Sequence, residues 1–147
     1  MKRYVLKGRI IDAVSEAAVE NGVLCFGETI EYAGPAAGFV PPGDAETIEA
    51  GNGTILPGFI DCHAHLSGEE DSGGSQFFGD QLLAAAYQTG LLLGAGFTGL
   101  REMSEAGLYL SRAVERGILR GPRIIPGGKI LGITGGHVDA NLHLPKE

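Results

Sequence analysis

His63 and His65 stand one residue apart in Phe59-Ile60-Asp61-Cys62-His63-Ala64-His65-Leu66, a mostly apolar run that follows Pro57-Gly58. If this run is a β-strand, side chains alternate between its faces with a period of two, so both imidazoles project to one side and Asp61 shares that side. Two neutral imidazoles a few ångströms apart suit zinc or a similar divalent cation. A cation held there lowers the pKa of its water towards ~7 and polarises a carbonyl, which is the chemistry of hydrolysis. His-X-His alone is weak evidence, because such pairs also occur as ordinary surface or sheet-edge histidines. Asp61 reads as a group that orients its neighbours or caps backbone donors, not as a ligand. Arg101 and Glu102 are adjacent and oppositely charged; a supporting pair near a metal and a purely structural ion pair are both open readings. Cys25 and Cys62 fall in segments that read as different strands, without zinc-finger or redox spacing, and are read as structural thiols. Glu69-Glu70-Asp71 reads as a solvated loop face, and His143 has no setting that suggests a role.

The elements that must position these residues follow from punctuation and periodicity. Residues 1–57 read as a small β unit. Tyr4-Leu6, Arg9-Ile11, Val23-Phe26, Thr29-Ala33 and Glu46-Glu49 are rich in β-branched or aromatic residues and bounded by Gly, Asp, Asn or Pro. Their pairing order is not readable. The segment Gly34-Pro35 to Pro41-Pro42-Gly43 reads as a loop. From residue 58 the texture changes. Phe59-Leu66 resembles a strand buried on both faces, as in a parallel sheet. A polar loop over 67–76 leads to a helix over Phe77–Gly94, where Phe78, Leu82, Ala85, Ala86 and Leu93 lie near helical spacing. Gly96–Met103 reads as a second strand, Ser104 as an N-cap, Glu105–Arg116 as a second helix stopped by Gly117, and Pro122–Gly128 as a third strand region. The order β-α-β-α-β implies parallel strands with right-handed crossovers.

Composition narrows the classes. The chain has 147 residues, 44% hydrophobic and 20% charged, as ordinary globular domains do. Its 18 acidic residues against 11 basic ones leave a formal charge of −7, which disfavours nucleic acid as a partner. Gly is abundant, 25 of 147, and its placement between short elements argues for many turns. No apolar run approaches the ~20 residues of a spanning helix, and the start lacks a secretory apolar region, so a cytoplasmic protein without a membrane partner is the simplest expectation.

The stretch Ile55-Leu56-Pro57-Gly58-Phe59-Ile60-Asp61-Cys62-His63-Ala64-His65-Leu66, preceded by the small β segment, resembles the entry into the catalytic barrel of the amidohydrolase superfamily. Gly94-Ala95-Gly96-Phe97-Thr98-Gly99-Leu100-Arg101-Glu102 resembles the imidazolonepropionase-like and prolidase-like (Xaa-Pro dipeptidase-like) branch. So does the run from Arg116-Gly117-Ile118-Leu119-Arg120-Gly121-Pro122-Arg123 to Ile133-Thr134-Gly135-Gly136-His137-Val138-Asp139. The resemblance implies an α/β fold: the amino-terminal part of a (β/α)8 TIM barrel, about three of its eight strands, over residues 58–147. Before it, residues 1–57 would form the amino-terminal part of a composite β-sandwich. It implies His63 and His65 as ligands of zinc or another divalent metal, with one or two ions bound. A carbamylated lysine, further histidines and a catalytic aspartate would come from beyond residue 147, and Lys129 is not read as that lysine. His137, next to the Gly135-Gly136 pair at the barrel mouth, is expected to bind substrate through a carboxylate or carbonyl. The implied activity is metal-dependent cleavage of an amide carbon-nitrogen bond in a dipeptide or N-acyl amino acid, or else in a cyclic amide. The partners would be that small substrate and the remainder of the barrel, from a longer chain or a second one, with a homo-oligomer possible in principle. A 147-residue chain on its own is expected to bind zinc weakly and hydrolyse nothing. The competing expectation is a non-catalytic scaffold or interaction protein on the same fold; a stand-alone β-domain is disfavoured because residues 58–147 would lack a core.

Overall fold

The computed structural model describes residues 2–67 and 77–134. His137, His143 and the Glu69-Glu70-Asp71 cluster therefore lie outside the described residues. The chain divides into two compact units, Met1–Pro57 and Gly58–Glu147.

The first unit is a four-stranded sheet of β1 (Arg3–Ile10), β2 (Val19–Phe26), β3 (Ile30–Pro35) and β4 (Ala45–Ile55), in the order β3-β2-β1-β4. β1 and β2 pair antiparallel, as do β2 and β3, whereas β4 runs parallel to β1. The two strands expected at Tyr4-Leu6 and Arg9-Ile11 are one strand that continues through Gly8. The strand runs on through the glycine, although its register with both neighbours shifts there. β4 is also longer than its Glu46-Glu49 core, because the chain makes an excursion at Ala50–Gly53 and rejoins β1: Lys7 pairs with Glu49, but Arg9 pairs with Thr54. Gly8 lets that excursion pass, since a Cβ there would sit 2.9 Å from Ala50 Cβ. Val5, Val23 and Cys25 form the buried centre, with Tyr32, Phe39 and Ala45 packed against it. Exposed ion pairs such as Lys7–Glu49 at 3.0 Å and Arg9–Glu20 at 2.8 Å join neighbouring strands, each contributing at most ~1 kcal/mol.

The second unit alternates strand and helix: β5 (Phe59–Ala64), α1 (Phe78–Gly94), β6 (Phe97–Glu102), α2 (Ala106–Glu115) and β7 (Arg123–Pro126). The three strands form a parallel sheet in the order β5-β6-β7. Leu66, Ala85, Leu100, Ala106, Leu110 and Ile124 bury their side chains in the core that α1 and α2 make with the sheet. The other face is open. Phe59 is 50% exposed, Ile60 71% and Ile125 57%, so β5 is not buried on both faces as its apolar sequence suggested. Ile60, Cys62, Gly99, Arg101, Arg123 and Ile125 line a shallow hollow of about 360 Å³ on this sheet. An apolar run reveals that a strand has two faces that avoid water; it does not reveal what covers each. The third strand is also shorter than expected, so Gly127-Gly128-Lys129 lies beyond β7.

Candidate metal centre

The two histidines meet at the carboxyl end of β5. Their Nε2 atoms are 3.2 Å apart, with ring centroids 5.1 Å apart and the planes tilted by 58°. Both residues are exposed. Two readings fit a 3.2 Å separation. One neutral ring donates a hydrogen bond to the other, or both nitrogens face one cation. Zinc–nitrogen bonds of ~2.0–2.1 Å at tetrahedral angles place two ligand nitrogens roughly 3.3 Å apart, so the pair has the right bite for a shared ion.

Simple alternation does not account for this convergence. The ladder to β6 slips: Asp61 pairs with Leu100, but Ala64 pairs with Glu102, so β5 carries one extra residue over this interval. β5 ends at Ala64, and His65 lies just past it. The two imidazoles do lie on one side, as expected, but the bulge between Asp61 and Ala64 breaks the strict period of two by which Asp61 was expected to join them. Asp61 is turned to its own strand, its Oδ1 accepting the His63 N–H at 2.9 Å. It caps a backbone donor, as its sequence position suggested.

Glu102 is wholly buried, with 0% exposure. It does not pair with Arg101. Consecutive strand residues point to opposite faces, and Arg101 Nε donates instead to the Cys62 carbonyl at 2.7 Å. Four donors converge on the Glu102 carboxylate. Oε1 accepts from Leu66 N–H at 3.1 Å and from the Ser104 hydroxyl at 2.7 Å. Oε2 accepts from Ser104 N–H at 2.8 Å and Gly107 N–H at 3.1 Å. This role was missed in the sequence, although a signal existed. Glu102 is two residues after Leu100 on the core face of β6, where a carboxylate must find partners. The Ser104 hydroxyl accepts Ala106 N–H at 3.2 Å, but the N-cap position of α2 is Glu105, not Ser104 as expected, because the helix begins one residue later.

Of the two thiols, Cys25 is buried, but Cys62 is exposed on the hollowed face and is not the buried structural thiol that was expected. Among the described residues no group of three or more His, Cys, Asp or Glu side chains gathers around a common point. Among the described residues His63 and His65 therefore stand as a pair, with no third such side chain beside them. No described helix is long and apolar enough to cross a membrane.

No family model matches the chain. It is 49% identical over 49 residues to the imidazolonepropionase of Caulobacter vibrioides, a span covering 33% of this chain and 12% of that protein. It is 29% identical over 91 residues to the ochratoxinase of Aspergillus niger, covering 58% of this chain and 19% of the relative. A crystal structure of a prolidase complexed with N-methylphosphonate-L-proline superimposes with a TM-score of 0.81 at 30% identity, covering 97% of this chain and 37% of that one. Imidazolonepropionases and prolidases are thus among the homologues of this chain, beside ochratoxinase, and its structural neighbours include an amidohydrolase that superimposes with a TM-score of 0.84 at 25% identity. The chain spans less than a fifth of the curated relatives and little more than a third of this structural neighbour. Its mixed α/β architecture is that of the amidohydrolase-fold neighbours.

Proposed function

We propose that the protein carrying this chain is a metal-dependent amidohydrolase that cleaves a carbon-nitrogen bond, with His63 and His65 as two ligands of zinc or a similar divalent ion. The observation that carries the reading is the 3.2 Å approach of their Nε2 atoms at the carboxyl end of a parallel strand. That is where the active sites of (β/α)8 barrels lie. In this reading β5-α1-β6-α2-β7 are the first units of such a barrel, and the small sheet is part of a composite β-sandwich. The apolar hollow between Ile10, Leu24, Ile30, Ala33 and Ile55 offers that sandwich a face to pack on. The open face of β5-β6-β7 is in turn the barrel interior.

When bound, the ion supplies an activated water at neutral pH and polarises the scissile carbonyl. This chain's own residues do the holding. His63 and His65 offer neutral imidazole nitrogens, and Asp61 fixes the His63 amide. Catalytic zinc sites use at least three protein ligands, so the remaining ligands and the proton-shuttling base come from outside the described residues. His137 is assigned to the substrate carboxylate or carbonyl. A dipeptide or N-acyl amino acid is the preferred substrate class, ahead of a cyclic amide. The prolidase likeness supports the first class, and the imidazolonepropionase likeness supports the second.

The test is hydrolysis by the intact protein of prolyl dipeptides, N-acyl amino acids and imidazolones, before and after chelation. Turnover that is lost with the metal and restored by zinc is expected. Turnover indifferent to chelation, or none in a metal-loaded preparation, contradicts the reading.

A further inference from the structure

We propose that Glu102 is a positioning residue for the metal ligand His65, acting through a clamp that fixes the backbone on both sides of that histidine. The inference rests on the reading of His63 and His65 as ligands. Three bonds make the clamp. Ala64 C=O, just before His65, accepts Met103 N–H at 2.8 Å. Leu66 N–H, just after it, donates to Glu102 Oε1. Ser67 and Ser104 join their hydroxyls at 2.8 Å. The direction of that last bond follows from counting protons. A serine hydroxyl has one hydrogen and two acceptor sites, and Ser104 gives its hydrogen to Glu102. Ser67 must therefore donate to Ser104, whose second acceptor site takes Ala106 N–H.

The charge type matters here. Every partner of the Glu102 carboxylate is a donor, and only a carboxylate offers acceptors on both oxygens. A glutamine turns an NH2 group towards two of those donors. An aspartate keeps both acceptors but is one methylene shorter. Gly107 is fitted to the same group, since a Cβ at that position would meet Glu102 Oε2 at 2.7 Å. Because His65 lies beyond the end of β5, no ladder partner holds it; the clamp from the end of β6 sets where its ring stands relative to His63.

The test uses the intact protein and three variants, Glu102→Gln, Glu102→Asp and Ser67→Ala, beside His65→Ala as the reference. Zinc affinity is measured by competition with a chromophoric chelator, and the visible spectrum of the cobalt-substituted protein reports ligand geometry. Loss of an outer-shell partner commonly weakens metal binding 10–100-fold. Glu102→Gln is expected in that range, with a shifted cobalt spectrum. Glu102→Asp should recover part of the affinity, and Ser67→Ala should weaken it several-fold. Ser67→Ala removes one hydroxyl from a partly exposed site, so it reports on the clamp even if Glu102→Gln fails to fold. Unchanged affinity and spectrum in Ser67→Ala and in a folded Glu102 variant, with His65→Ala losing metal, overturns the clamp alone. Metal content that is unaffected by His65→Ala overturns the ligand assignment itself, and the clamp with it.

Discussion

At Gly121 the chain passes so close to α1 that an added Cβ would lie 2.3 Å from Thr89 Cγ2. Thr89 cannot swing away easily, because it is wholly buried and its hydroxyl donates to the Ala85 carbonyl at 2.7 Å. Overpacking of this kind costs ~1–3 kcal/mol. Gly121→Ala is therefore expected to lower the denaturation midpoint, and Thr89→Ser in the same chain should restore most of the loss, since it keeps the hydroxyl and removes the methyl. Failure of that rescue in a double-mutant cycle would refute the contact. A second residue-scale expectation concerns Asp12, whose carboxyl is held below the ordinary carboxylate range by the Ser15 N–H, then the Val14 N–H and the Ser15 hydroxyl. A carboxyl depressed in the folded state adds stability above its unfolded pKa and loses it as pH falls through the folded value. Carbon-detected NMR titration should give Asp12 a pKa below that of a free aspartate, moving upwards in Ser15→Ala; an ordinary value in the parent chain would remove the effect. At this scale the approach of His63 to His65 and the backbone cap by Asp61 were legible, because residue type and spacing already suggest them. The clustering of donors around Glu102 was not, because three of the four are backbone amides, and the one signal was a carboxylate placed on the core face of β6.

Among the elements, the helices and the strand-helix alternation of the second unit were readable because apolar spacing reports period directly. α1 spans Phe78–Gly94, against an expected Phe77–Gly94. Strand partners were not readable, since β4 joins β1 across more than 30 intervening residues and nothing local specifies that choice. The bulge at the end of β5 was equally silent, because it depends on register with β6. Leu100 on β6 is the buried contact common to both helices' side of the sheet, at 1% exposure. Leu100→Ala should destabilise the second unit by ~2–5 kcal/mol. Chemical denaturation followed by a probe in that unit checks it, and a loss under ~1 kcal/mol would mean that Leu100 is not central to this core.

For the whole molecule, the governing feature is a parallel sheet with one packed face and one open face that bears Ile60, Ile125, Arg101 and Arg123. Exposed apolar sheet surface promotes association. A 147-residue polypeptide of this sequence by itself should bind an apolar dye, take up zinc only weakly through its two histidines, and show no amide hydrolysis; turnover by that polypeptide with added zinc would contradict the two-ligand account. The complete protein offers the most direct test of that account's central claim, that His63 and His65 share one cation. Crystals of the zinc-loaded intact protein, measured on both sides of the zinc absorption edge, should give an anomalous peak within bonding distance of both Nε2 atoms. A peak elsewhere, or the two rings hydrogen-bonded to each other with no peak between them, would contradict it.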